Sequence, residues 1–159
     1  MACLRQLYDL AYERGIEIND YHFSDAKKAM CIHYDDYKSI TLDKPLIEDS
    51  AEETILLAEE LGHYETGSLY FLESTSNTEN YKNNRIWCEG KAKRWKIKKL
   101  LPFNDLRDAI HSGIKNYYEL AEYFNLPKDF IESAILYYTE SLGMSIDESD
   151  NNFFDNHAP

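Results

Sequence analysis

Three side chains that can bind a metal ion or move a proton are grouped on one short stretch of this chain. Glu59 and His63 are four residues apart and therefore share one face of a helix, while Glu60 precedes His63 by three residues and flanks it. The residues from Ile55 to Leu61 are largely apolar, so we expect the helix to be buried. Because a buried carboxylate needs a cation or hydrogen-bond donors, the stretch predicts either a metal site or a core helix with one solvent-facing histidine.

The spacing is close to the H-E-x-x-H motif of zinc peptidases, in which two histidines bind zinc and the glutamate is the general base. In this chain Glu59 takes the position of the first histidine. Two ligands and a base therefore fit on the stretch, but a strict match to the motif fails at that position.

A second helix is predicted from about residue 84 to residue 101, where Pro102 stops it. Its buried stripe consists of Cys88, Ala92 and Trp95. Glu89 borders this stripe although its charged neighbours are basic, which makes it the best candidate for a third ligand. Between Arg85 and Lys99 the chain has seven bases and a single acid, a pattern that we interpret as a solvated helix face.

Composition limits the class of protein. The 159 residues, 43% of them hydrophobic, fit one globular domain or a domain with a small appendage. A net charge of −12 disfavours direct binding to nucleic acid or to an anionic membrane surface. Three cysteines without a paired framework, and no signal peptide or long apolar span, predict a cytoplasmic protein without disulfides.

Periodicity and turn signals predict the remaining elements of the first hundred residues. We expect a helix over residues 2–14, a strand from Ile16, and a hairpin of strands 29–34 and 38–42. Ser50 and Glu53 form a capping-box signature at the start of the motif helix. Residues 73–84 are polar and without periodicity, so we expect a mobile loop there.

After Pro102 we expect three shorter helices, at about 104–112, 116–124 and 128–142. The last two resemble a helix-turn-helix, but the second of them is acidic, which disfavours DNA reading. We expect an acidic, disordered tail from Ser145. The predicted domains are accordingly 1–102, a helical extension at 103–144, and the tail at 145–159.

The chain resembles the ImmA/IrrE family of metallopeptidases, and more closely its short phage and mobile-element members, whose motif reads E-E-L-G-H. That motif stands here at residues 59–63. Family members carry a downstream helix of the form E-x-x-A-x-x-(F/W) that ends in L-x-P or L-L-x-P. Here Glu89, Ala92 and Trp95 match it, and residues 100–102 close it. The resemblance covers roughly residues 5–142.

The resemblance implies an α+β, zincin-like domain, mostly helical with a small antiparallel β-hairpin or sheet, and a helical C-terminal extension. It also implies a zinc-dependent, gluzincin-like endopeptidase. Glu59, His63 and Glu89 would be the metal ligands and Glu60 the general base. Because two carboxylates and one imidazole bring more negative charge than a histidine-rich site, Mn²⁺ or Fe²⁺ would also suit it. The residue that stabilises the oxyanion is not identified; His33, Tyr64 and Tyr81 are candidates by residue type only.

The implied substrate is a repressor or another regulatory protein of a mobile element, with a helix-turn-helix repressor as the expected partner. A second interpretation is a non-catalytic regulatory protein that binds a repressor and has a structural or degenerate metal site. Its acidic surface could also imitate DNA, although a net charge of −12 is equally compatible with ordinary solubility. A di-iron carboxylate site is set aside because it needs a second Glu-x-x-His, and none of the other histidines has a glutamate three residues before it.

Overall fold

A computed structural model of the chain describes residues 3–68 and 79–145, leaving the side chains of residues 79–82 outside the description. These residues are mostly helical and carry a small three-stranded sheet, which confirms the α+β fold class. The chain divides into two compact units, one from Ala2 to Leu100 and the other from Leu101 onward. None of the described helices is both long and apolar enough to cross a membrane.

The described part of the first unit contains three α-helices and three strands. They are α1 (Leu4–Glu13), β1 (Glu17–Asp20), β2 (Ala29–Tyr34), β3 (Tyr37–Leu42), α2 (Ser50–Glu65) and α3 (Glu79–Leu100). Helices α2 and α3 pack against each other, and α2 also packs on α1, β2 and β3. The core between them is made of fully buried aliphatic side chains, chiefly Leu7, Ile40, Leu42, Leu57, Leu61, Ile97 and Leu100.

The sheet has the strand order β1-β3-β2, and it is mixed. β2 and β3 form the predicted antiparallel hairpin, with Cys31 opposite Ile40, whereas β1 lies parallel to β3 on its other side. The expected antiparallel hairpin is therefore confirmed, and the parallel pairing of β1 makes the whole sheet mixed. The buried carboxylate of Asp43, just after β3, accepts a hydrogen bond from the Phe23 N–H at 2.8 Å and so fixes the β1–β2 connection at the end of the central strand.

The start of α2 differs from the predicted capping box. The N-cap is Asp49, whose carboxylate accepts a hydrogen bond from the Glu52 N–H at 2.8 Å, and Ser50 is already helical. Glu53 does not reach back to the helix start, because its carboxylate binds the ammonium of Lys44 and the hydroxyl of Tyr8. This cluster instead joins α1 to the first turn of α2.

Helix α3 begins at Glu79, earlier than predicted. The expected loop is therefore wrong for residues 79–84, because the sequence of this stretch is polar and has no apolar periodicity that would predict a helix. The rest of that prediction, residues 73–78, lies outside the described residues. So do residues 146–159, which contain nearly all of the predicted disordered tail.

The second unit holds α4 (Phe103–His111), α5 (Tyr117–Phe124) and α6 (Lys128–Leu136), followed by a π-helical turn (Tyr137–Ser141) in its described part. Asn116 caps α5 by accepting a hydrogen bond from the Glu119 N–H at 2.9 Å, as expected. Asn125 ends α5 in the left-handed conformation, with φ of 50°. The last helix stops near residue 136 rather than 142, because the chain continues as the π-helical turn.

Candidate functional site

The predicted site lies where α2 crosses α3. Glu59 lies against Lys96, and His63 lies against Glu89. Because the residue number rises along α2 from the first contact to the second and falls along α3, the two helices run antiparallel. Gly62 makes the close approach possible. A Cβ built on it would lie 2.9 Å from the carbonyl oxygen of Ala92 and 3.2 Å from its Cα. The glycine therefore sets the spacing at which side chains on either side of it can meet.

His63 and Glu89 face each other across this helix pair. The imidazole of His63 is buried, and its Nε2 lies 3.6 Å from Oε2 of Glu89. Its Nδ1 lies 3.0 Å from the carbonyl oxygen of Ser68, so Nδ1 carries the proton and donates it to that oxygen in the neutral ring. This contact fixes the ring orientation and directs the Nε2 lone pair towards Glu89, an arrangement typical of metal-binding histidines.

Glu59, the third predicted ligand, has a different partner. Its Oε2 lies 2.5 Å from Nζ of Lys96, a residue only 9% exposed. The interpretation of the basic stretch as a solvated face is therefore wrong for Lys96. Within the described residues, no group of three or more His, Cys, Asp or Glu side chains is placed to hold a metal ion. His63 and Glu89 face each other, whereas Glu59 is held by the lysine.

Glu60, the predicted base, points to the sheet. The thiol and the backbone N–H of Cys31 on β2 lie close enough to its carboxylate to favour the charged form. Burial raises the pKa of the Glu60 carboxyl, and these two groups of Cys31 oppose that rise without outweighing it. Burial also raises the pKa of the Cys31 thiol, with the negative charge of Glu60 adding to the effect. Cys31 is thus a neutral hydrogen-bond donor and not a thiolate nucleophile.

Tyr64 follows His63 but serves the fold. Its hydroxyl accepts a hydrogen bond from the Ser39 N–H at 3.1 Å, and it lies within donating distance of the carbonyl oxygens of Ser39 and Ile32. It therefore bridges β2 and β3 and leaves little capacity for an oxyanion. The exposed His33 packs edge-on against the Tyr64 ring, with ring centroids 6.0 Å apart. The side chain of Tyr81 lies outside the described residues.

Replacing Tyr64 with phenylalanine is expected to lower the free energy of unfolding by about 1–3 kcal/mol, because the part-buried backbone groups of Ser39 and Ile32 lose a polar partner. Urea denaturation of the variant measures this change. Tyr12→Phe is the matched control, since Tyr12 is 87% exposed and should change the stability little. Equal stabilities of the two variants would contradict the bridging role.

Three contributors to the site were not predicted from the sequence: Lys96, Cys31 and the carbonyl of Ser68. Lys96 could have been identified, because it lies seven residues after Glu89 and so on the same helix face. Cys31 reaches Glu60 only through the packing of β2 on α2, and no local pattern indicates that contact. The Ser68 contact comes from the turn after α2, in which the Ser68 N–H also bonds to the His63 carbonyl at 2.8 Å.

Comparisons of the chain with protein-family models, with curated proteins and with solved structures each return no match.

Proposed function

We propose that this chain is a metal-dependent endopeptidase with a zincin-like, gluzincin-type site, as the resemblance to the ImmA/IrrE family implies. The observation that supports the proposal most is the pairing of His63 with Glu89 across α2 and α3, with Nε2 and Oε2 only 3.6 Å apart. A histidine whose Nδ1 is anchored to a backbone carbonyl and whose Nε2 faces a carboxylate is suited to share a divalent cation with it.

In this proposal His63 and Glu89 would hold the cation, with Glu59 as the third ligand. When bound, a zinc ion would polarise the scissile carbonyl of the substrate. Zinc is the expected metal, and Mn²⁺ or Fe²⁺ would also suit a set with two carboxylates. These three side chains come from the two helices that Gly62 allows to approach closely.

Glu60 is proposed as the general base. It neighbours the ligands on α2 yet is directed to Cys31, so it need not ligate the metal. Its carboxylate would accept a proton from the attacking water and deliver it to the leaving amine. The neighbouring thiol and N–H of Cys31 would interact with the carboxylate when it is charged. The proposed substrate is a repressor or another regulatory protein of a mobile element, and the family resemblance is the only support for it.

The metal site is tested by binding. We expect the purified protein to take up about one transition-metal ion per chain, and a saturating metal at about 100 times its Kd to stabilise the fold by about 2.7 kcal/mol. His63→Ala should lose both effects, whereas His111→Ala, which removes an exposed histidine in the second unit, should keep them. Elemental analysis and melting curves with and without chelator give the answer. Equal metal content in the native protein and His63→Ala would contradict the site.

One observation favours a second candidate function. The ion pair of Glu59 with Lys96 satisfies a predicted ligand without any metal, which is what a regulatory protein with a degenerate site would need. Such a protein would relieve repression by binding its repressor and leave the repressor uncut. The two candidates are separated by running the repressor on a gel after incubation with the native protein and Zn²⁺.

A further inference from the structure

Lys96 differs from the other bases of α3. The helix carries seven bases between Arg85 and Lys99, and neighbours such as Lys93 and Lys98 are exposed. Lys96 is 9% exposed, and its ammonium is directed at Glu59 on the facing helix. A lysine rarely gives up its hydration unless a partner compensates for the loss. Its contact with Glu59 is thus a built feature of the helix pair and not a chance surface contact.

The ion pair is aligned with the proposed ligands. On α2, Glu59 is one helical turn before His63, and on α3, Lys96 is two turns after Glu89. Both residues of the ion pair therefore lie along the same helix faces as the residues that meet at 3.6 Å. The Lys96 ammonium supplies Glu59 with the positive charge that a metal ion would otherwise give it.

We propose that Lys96 is a resident cation that competes with the divalent metal for Glu59 and thereby sets the metal affinity of the site. The inference rests on the ligand set of the proposed function. With Lys96 in place, the Glu59 carboxylate has a positive charge beside it even when no metal is bound. To become the third ligand of the metal ion, Glu59 must therefore leave the Lys96 ammonium. Without the ammonium, the carboxylate is left with a charge that a metal ion compensates best.

The test is Lys96→Met, which keeps the length and apolar stem of the side chain and removes the charge. Zn²⁺ alone is titrated into the full chain in competition with a chromogenic chelator. We expect the variant to bind Zn²⁺ about tenfold tighter or more, because the Glu59 carboxylate, whose side chain is 39% exposed, loses the buried ammonium that faces it and becomes free to bind the ion. Its metal-free form should melt at a lower temperature than the native metal-free form, for the same reason.

Lys98→Met is the matched control. It removes one positive charge from an exposed position of the same helix, two residues away, and should shift the Zn²⁺ affinity much less. If Lys96→Met does not fold, Lys96→Gln removes the same charge and keeps a polar end. In a Glu59→Gln background, Lys96→Met should affect the Zn²⁺ affinity no more than Lys98→Met does. Lys96 affects metal binding through the charge of Glu59, and that charge is absent from the background. A lysine with a purely structural role would not show this dependence.

The outcomes separate this inference from the proposed function. Tighter Zn²⁺ binding by Lys96→Met than by the native protein supports the competition. If the native protein binds no Zn²⁺ but Lys96→Met does, the competition is still supported and only the peptidase assignment is overturned. Equal affinities of the native protein, Lys96→Met and Lys98→Met overturn the competition and leave the metal site in place. Absence of Zn²⁺ binding in all three proteins overturns both.

Discussion

Glu60→Gln is expected to lower cleavage by about 100- to 10,000-fold, the usual contribution of general acid-base assistance, while fold and metal binding persist. Glutamine has the same shape as glutamate, and its carbonyl oxygen can still accept hydrogen bonds from Cys31. Because burial already disfavours the charged carboxylate at this position, the neutral amide should not lower the stability of the fold. The proposed ligands are other residues, so the metal content should stay that of the native protein.

The cleavage assay can proceed without a known substrate. Peptides from a digested proteome are incubated with the native protein and Zn²⁺, and new termini are identified by mass spectrometry. Glu122→Gln, an exposed glutamate of the second unit, controls for the loss of one carboxylate. His63→Ala should lose metal and cleavage together, in contrast to Glu60→Gln.

A repressor assay in cells decides between enzyme and binding protein. If Glu60→Gln relieves repression as well as the native protein does, and the repressor remains intact on a gel in both cases, the peptidase assignment is wrong and the binding interpretation stands. A repressor that is cut by the native protein and left intact by Glu60→Gln supports the assignment.

The elements that sequence reasoning located well are those with a strong local signal. Apolar spacing placed α1, the hairpin and the buried end of α3, and Asn116 correctly marked the start of α5. The errors occur where a side chain chooses a distant partner. Glu53 has the right spacing for a capping box, but it binds Lys44 and Tyr8 instead.

In the candidate site, too, local spacing located the residues on their helices but did not show which distant partners they contact. Spacing on a helix was enough to place Glu59, Glu60 and His63 on α2. The border position of Glu89 made it the candidate third ligand, and the structure brings it to 3.6 Å from His63. Spacing could not show that Glu59 binds Lys96, since that choice depends on which residues oppose each other across two helices. Nor could it show that Glu60 is directed to β2, because the contact requires the sheet to pack on α2.

Gly62→Ala is expected to destabilise the protein by about 1–3 kcal/mol, the usual cost of overpacking. The added Cβ would lie 2.9 Å from a carbonyl oxygen and 3.2 Å from Cα of Ala92, and backbone atoms cannot move aside without moving α3. The gain in helix propensity from Gly to Ala, up to about 1 kcal/mol, offsets only part of this cost. Moving α3 would also widen the 3.6 Å gap between His63 and Glu89, so metal affinity should fall together with stability.

Gly90→Ala is the matched control on the facing helix. Its added Cβ would meet only the terminal guanidinium of Arg94, at 3.2 Å, and a flexible side chain can move away. Helix propensity then dominates, and the variant should be more stable than the native protein by up to about 1 kcal/mol. Urea denaturation of both variants, with Zn²⁺ titrations alongside, measures the contrast. If Gly62→Ala also stabilised the fold and kept the native Zn²⁺ affinity, the close contact of α2 with Ala92 would not control the site, and the spacing of His63 and Glu89 would need another cause.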